Sequence, residues 1–263
     1  MTVVAIVILT STCSSPGVTT LAVGLALVWP RSVMIADCDP GAHQSILAGY
    51  LSGQSASGKG LLRVAEAHRD GRPLRDVLVD QTIPLTLNAL ESRLFLPGFT
   101  KPGSASLFSG VWLDLAEAFD GLDEAGMDVI VDAGRMGAQG LPPQLVEYSA
   151  MTCLVLQSNL RSVMSARVHA SSFLERAQLT SRDGDTGLIV VGEGEPYDRH
   201  EIGKALGIRP VAAVAYDHVS AQHLSEGAPR SRKFDSSPLA KSLHTVAATL
   251  STELQRRSDR VAT

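Results

Sequence analysis

The sequence predicts an α/β fold: a doubly wound, mostly parallel β-sheet flanked by helices on both faces, in three α/β/α layers. Three observations predict it. Short runs of aliphatic and β-branched residues recur without polar alternation, as strands buried on both faces require. Segments of helical periodicity separate most of those runs, which is the order of right-handed βαβ crossovers. Hydrophobic residues make up 44% of the chain and aromatics only 5%, so the core is to be filled with Val, Ile, Leu and Ala rather than with rings. A chain of 263 residues can bury one large core of this kind, and one domain over residues 1–263 is expected.

The first strand is Val3 to Leu9, "VVAIVIL". A polar, glycine-bearing turn follows, then a helix over Thr19 to Trp29 that Pro30 stops. A second buried strand, Val33 to Ala36, runs into "DCDP". Further strands are predicted at Arg93 to Gly98, Met127 to Gly134, Thr152 to Gln157, Gly187 to Gly192 and Val211 to Tyr216. Helices are predicted at Ser104 to Leu122, Ser162 to Ala177 and Arg199 to Leu206. Ser52 to Gly60 and Gly227 to Pro238 are polar loops, not domain linkers. A last helix covers about 238–257, where Leu239, Leu243, Val246, Leu250 and Leu254 form one narrow apolar stripe, suited to docking on the core rather than to a membrane surface.

Charge and cysteine usage narrow the classes. A net charge of −4 gives no global case for a nucleic-acid or anionic-membrane binder. Cys13, Cys38 and Cys153 are odd in number and lack metal-ligand spacing, which argues against a disulfide framework or a zinc site and fits a reducing cytoplasm. Cys13 and Cys38 both fall at strand ends, where a redox pair is conceivable, but small buried thiols are the simpler reading. The apolar start ends at Leu9, too short to span a bilayer and without a basic leader.

The turn "TSTCSSPGVTTLA" after the first strand has the rhythm of a phosphate-binding loop. In GxxxxGK[ST], glycines let backbone amides curl around phosphates, lysine neutralises the transferring group and Ser/Thr holds magnesium. Here Thr12 takes the first glycine position, Gly17 the second, Val18 the lysine and Thr19 the magnesium ligand. The turn glycine and the threonine are present, and the cation is absent.

With these residues in view, the chain resembles the ParA/MinD group of P-loop ATPases, whose deviant loop reads KGGVGKTT. "CSSPGVTTLAVGLA" matches its length and its GxTT…LA frame, with Cys13 at the signature lysine and Val18 at the second lysine. "VMIADCDPGAHQS" resembles the family's VLLIDxDPQGN segment, "DVIVDAGRMG" its Walker B strand and switch, and "VAAVAYDHVSAQHLSEGAP" its late segment. The resemblance implies a P-loop NTPase-like fold. It implies ATP or ADP held by Cys13, Ser14, Ser15, Pro16, Gly17, Val18, Thr19 and Thr20, and magnesium near Thr19, Asp37 and Asp132. It implies that Asp39 takes the position that activates the attacking water. It also implies a homodimer, in which the signature lysine would reach the partner's phosphates. Where the family carries an adenine-reading asparagine, "LIVVGEGEPYD" offers Gly192 and Glu193.

Charge arithmetic then separates binding from chemistry. A charge-assisted hydrogen bond contributes about 1.5–3 kcal/mol, so two missing lysines remove about 3–6 kcal/mol, roughly a hundred- to ten-thousandfold in affinity. Backbone amides at a helix N-terminus still attract phosphate. Phosphoryl transfer depends almost wholly on positioning and charge stabilisation, so hydrolysis suffers more than binding. Arg135 and Arg31 are the two arginines that could refill the position. Asp37 and Asp39 also admit a plainer role as caps of the following turn.

Residues 199–263 carry ten basic and six acidic residues, including "PRSRK" and "RRSDR". Nonspecific DNA binding there is one expectation and a solvated surface the other. The histidines share no metal spacing. Three function classes result. The first is a degenerate localisation, scaffold or assembly factor with weak or absent hydrolysis, similar to the TadZ/CpaE group, with a protein partner in a pilus, secretion or partition system. The second is an active partitioning or positioning ATPase, and the third a synthetase- or kinase-type enzyme, which the missing lysines disfavour most.

Overall fold

The computed structural model describes residues 5–12, 17–86, 90–101, 103–137, 140–180, 185–194 and 196–261. Strand β1 (Ile6–Ser11) leads through the loop to α1 (Val18–Val28) and β2 (Ser32–Asp37). Short helices α2 (Ser45–Ala48), α3 (Leu61–Arg69) and α4 (Leu74–Val77) follow, then β3 (Ile83–Pro84) and β4 (Arg93–Leu96). Next come α5 (Ser104–Leu107), α6 (Trp112–Asp120), β5 (Met127–Arg135), α7 (Pro143–Tyr148), β6 (Met151–Gln157) and α8 (Leu160–Thr180). The chain ends with β7 (Asp185–Val191), α9 (Arg199–Leu206), β8 (Pro210–Val214), α10 (His218–Ser225) and α11 (Pro238–Val261).

The eight strands form one sheet in the order β3-β4-β2-β5-β1-β6-β7-β8. Every pairing is parallel except β3 with β4 at the edge. From β1 the chain crosses to β2 on one side, and from β6 onward it builds the other side. The carboxyl ends of β1, β5 and β6 therefore lie at a topological switch point, where open α/β sheets leave a crevice.

Side chains of one strand divide between the two faces. Val7 and Leu9 of β1 join the cluster under α1 and α11, whereas Ile6 and Ile8 join the cluster under α3, α4, α6 and α7. All four are at most 2% exposed, and each such burial contributes roughly 1.5–3 kcal/mol. A third cluster packs α8 and α9 on Leu154, Leu156, Leu188 and Val190. The α11 stripe faces inward as expected: Leu239, Leu243, Val246, Leu250 and Leu254 are all buried against α1 and β8.

Two differences from the sequence reading have local causes. The helix expected over Ser104 to Leu122 is two helices with a turn through Phe108 to Val111. Gly110 weakens the helix there, and Phe99, Phe108 and Trp112 pack edge to face across the break. Arg31, one of the two arginines considered for the lysine position, sits at the amino end of the sheet and pairs with Asp128 at 3.6 Å. It is on the far side of the strands from the loop and cannot fill that position. No described helix is long and apolar enough to cross a membrane.

Candidate functional site

β1 ends where the candidate phosphate-binding segment begins, and Gly17 is the N-cap of α1 with φ 89° and ψ 30°. A side chain there would be strained, so glycine is required. The Gly17 carbonyl accepts from the Leu21 amide at 2.8 Å and starts the helix. Cys13, Ser14, Ser15 and Pro16 lie outside the described residues. Of the remaining loop residues, Val18 is 6% exposed and Thr19 and Thr20 are half-buried.

The registers of three strands bring the carboxylates together. Asp37 pairs with Asp132 in the β2/β5 ladder, and Leu9 pairs with Asp132 in the β1/β5 ladder. Parallel neighbours lie about 4.8 Å apart, so Asp37 and Asp132 emerge side by side at the carboxyl edge beside the loop. The Thr19 hydroxyl donates to the Asp132 carboxylate, and Asp132 Oδ1 accepts from the Gly134 amide at 3.0 Å. Asp37 Oδ1 accepts from the Asp39 amide at 3.2 Å. Asp39 Oδ1 accepts from the Gly41 amide at 2.8 Å, which gives it a turn-capping role, while its carboxylate also lies against Cα of Gly134. A Cβ on Gly134 would meet that carboxylate at 2.2–2.6 Å, and its φ of 57° also demands glycine.

Burial, and then the charge of Asp132, hold the Asp37 carboxyl well above its ordinary range. Burial raises Asp132 to about 6, against the hydrogen bonds from Thr19 and Gly134 that favour its charged form. Two adjacent buried carboxyls with raised affinity for protons form a site that a cation would relieve. Magnesium is commonly held by one or two carboxylates, with waters and substrate phosphates completing its shell. The Thr19, Asp37 and Asp132 oxygens fit that role. They do not form a self-sufficient metal cage, and no group of three or more His, Cys, Asp or Glu side chains among the described residues could hold an ion alone. Thr12 Oγ1 is buried and has no hydrogen-bond partner among the described residues.

From this edge a cleft of about 770 Å³ runs across the ends of β1, β5, β6, β7 and β8 to α10. Gly17, Val18, Thr19, Thr20, Asp39, His43 and Arg135 line it, as do Gln157, Tyr216, Asp217 and Glu226. This volume suits a nucleotide-sized ligand. Arg135 is the one Arg or Lys side chain among the described lining residues. Gly192 and Glu193 do not line the cleft: Glu193 accepts from the Arg199 amide at 3.2 Å and pairs with its guanidinium at 3.5 Å. Gln157 and the exposed Tyr216 line the cleft instead. Their position at strand ends was the available signal, but one polar residue after an apolar run says little by itself. Burial works to raise Asp217, but hydrogen bonds from Ser220 and the Leu239 amide outweigh it and hold the carboxyl below its ordinary range.

Of the cysteines, Cys38 and Cys153 are buried free thiols. Burial pushes Cys153 up to about 12 and raises Cys38 as well, with Asp37 adding to the effect there. Both are poor nucleophiles. Cys13 lies outside the described residues, so a Cys13–Cys38 pair has no geometry here.

No protein-family model and no curated protein matches the sequence. Solved structures match it over nearly its whole length. A ParA family ATPase from Chlorobium tepidum TLS superposes with TM-score 0.70 at 15% identity, covering 93% of this chain and 98% of that one. MinD in the MinC:MinD cell division protein complex of Aquifex aeolicus gives 0.69 at 14%, covering 94% and 96%. The septum site-determining protein MinD from Pyrococcus horikoshii OT3, complexed with Mg-ADP, gives 0.62 at 17%, covering 97% and 98%. At such identities the likeness is one of architecture, and this chain has the fold of the ParA/MinD P-loop ATPases.

Proposed function

We propose that this chain is a degenerate ParA/MinD-like protein that holds a magnesium-bound adenine nucleotide weakly, turns it over little or not at all, and acts as a localisation or assembly factor. One observation carries the reading. The loop glycine, the Thr19–Asp132 pair and the nucleotide-sized cleft are kept, while Val18 and Cys13 stand at both positions where the family has lysine. A bound magnesium ion would supply positive charge to the phosphate oxygens. The chain's own part is to orient them with loop amides and Thr19 and to exclude water with Leu21 and the apolar walls Val191 and Val214. What it lacks is the pair of cations that stabilise charge as the γ-phosphoryl leaves.

The Mg-ADP in the P. horikoshii neighbour and the MinC partner in the A. aeolicus neighbour support a nucleotide and a protein partner here. A homodimer with a partner from a pilus, secretion or partition system is the assembly this reading favours. DNA is not favoured: Arg230 of the "PRSRK" stretch is paired with Asp235 and lies over the Phe234 ring, leaving Arg232 and Lys233 as a small exposed charge. Calorimetric titration with ATP and magnesium checks the proposal. We expect weak binding that Val18→Lys strengthens by roughly ten- to hundredfold, the contribution of one charge-assisted bond. Tight binding by the unmodified chain that Val18→Lys leaves unchanged would contradict it.

A further inference from the structure

The geometry points to Arg135 as the phosphate ligand that replaces the missing loop lysines. This rests on the nucleotide reading above and goes beyond it by assigning the retained charge to a residue outside the loop. In the β1/β5 ladder the Cα partner of Arg135 is Ser11, the last residue of β1 before the loop. The next amide, Met136, donates to the Ser11 carbonyl at 2.7 Å, so the end of β5 is fixed against the start of the loop. The β5 strand is buried from Met127 to Gly134 and turns outward only at Arg135. Arg135 is exposed and is one of the residues lining the cleft, with Gly17, Thr19 and Thr20.

Among the described residues the Arg135 side chain has neither an ion-pair nor a hydrogen-bond partner. The nearest candidate, Asp39, lies against Gly134 but faces His43, at 4.0 Å, and the Gly41 amide. The other arginine considered, Arg31, is held by Asp128 at the opposite end of the sheet. An unpaired guanidinium carried on a rigid strand end, beside the N-terminus of the eleven-residue helix α1, suits bidentate contact with phosphate oxygens. The cleft otherwise presents Asp39, Asp217 and Glu226, so without Arg135 its described side chains would repel a nucleotide's phosphates. Because the contact is made with bound phosphate rather than specifically with a departing one, it retains ligand without restoring turnover.

Calorimetry on the full chain with ATP and magnesium, and separately with adenosine, tests this. Arg135→Ala should weaken ATP binding by roughly ten- to hundredfold and leave adenosine unchanged, as expected for the loss of one charge-assisted contact. Arg135→Lys should recover part of the loss. Since Arg135 is exposed, both variants should melt with the unmodified chain when no nucleotide is present, and Arg135→Gln provides a second neutral variant. Equal ATP affinity in Arg135→Ala and the unmodified chain would overturn the assignment and leave the nucleotide site standing, as would an equal loss for ATP and adenosine. No binding of ATP by the unmodified chain would overturn both.

Discussion

Asp132 shows how the site works at the scale of single residues. Its carboxyl is 1% exposed, and burial raises it to about 6 from an ordinary 3.8. The native state therefore binds more protons than the unfolded chain between those values. By linkage, the stability this group contributes is fully present below about pH 4 and is lost as pH rises through about 6. In metal-free buffer, Asp132→Asn should gain stability relative to the unmodified chain as pH goes from 4 to 7, read from urea unfolding midpoints. A difference that stays constant over that range would show that Asp132 is not held protonated by its surroundings. Val18→Lys belongs to the same scale. The long stem of a lysine can follow the apolar wall while its ammonium reaches the cleft, so the expected gain is in nucleotide affinity with little change in melting temperature.

At the scale of elements, the strands were legible and the breaks between helices less so. β1, β2, β5, β6 and β7 are unbroken aliphatic runs, and burial on both faces leaves that pattern little alternative. Their ends differ by up to two residues from the sequence reading, β1, β2 and β5 running on where hydrogen-bond ladders continue past the last apolar side chain, and the expected Val3 and Val4 lie outside the described residues. The break between α5 and α6 turns on one glycine and a three-ring contact with Phe99, which is a tertiary event. Helix α3 buries only Leu61, Val64 and Ala67, too short a stripe to stand out after a polar loop. The same limit applies at the site. Asp37, Asp39 and Asp132 could be placed from motif order, but the freedom of Arg135 and the loss of Arg31 to the far end depend on strand register. Asp128 illustrates what holds that far end: its carboxylate, 3% exposed, accepts from the Ala5 amide at 3.0 Å and from Trp29 Nε1 at 2.8 Å. Asp128→Ala leaves both buried donors unpaired and should cost about 3–5 kcal/mol. Chemical denaturation followed by tryptophan fluorescence would measure it, and a cost under about 1 kcal/mol would mean that water or a shift in the backbone satisfies both groups.

At the scale of the whole molecule, the fold delivers a cleft at the switch point of the sheet whatever side chains line it, and here the described lining presents oxygen donors, glycines and Arg135 but no lysine. Under the proposed function, architecture sets where a nucleotide would sit, and the charges set how well it would be held and whether it would react. The most direct measurement is to incubate the purified chain with γ-labelled ATP and magnesium and to follow bound nucleotide and released phosphate together. The account predicts that bound ATP is recovered intact, with phosphate release no faster than in buffer. Steady phosphate release that disappears on Asp39→Ala would contradict it and make this chain a working ATPase.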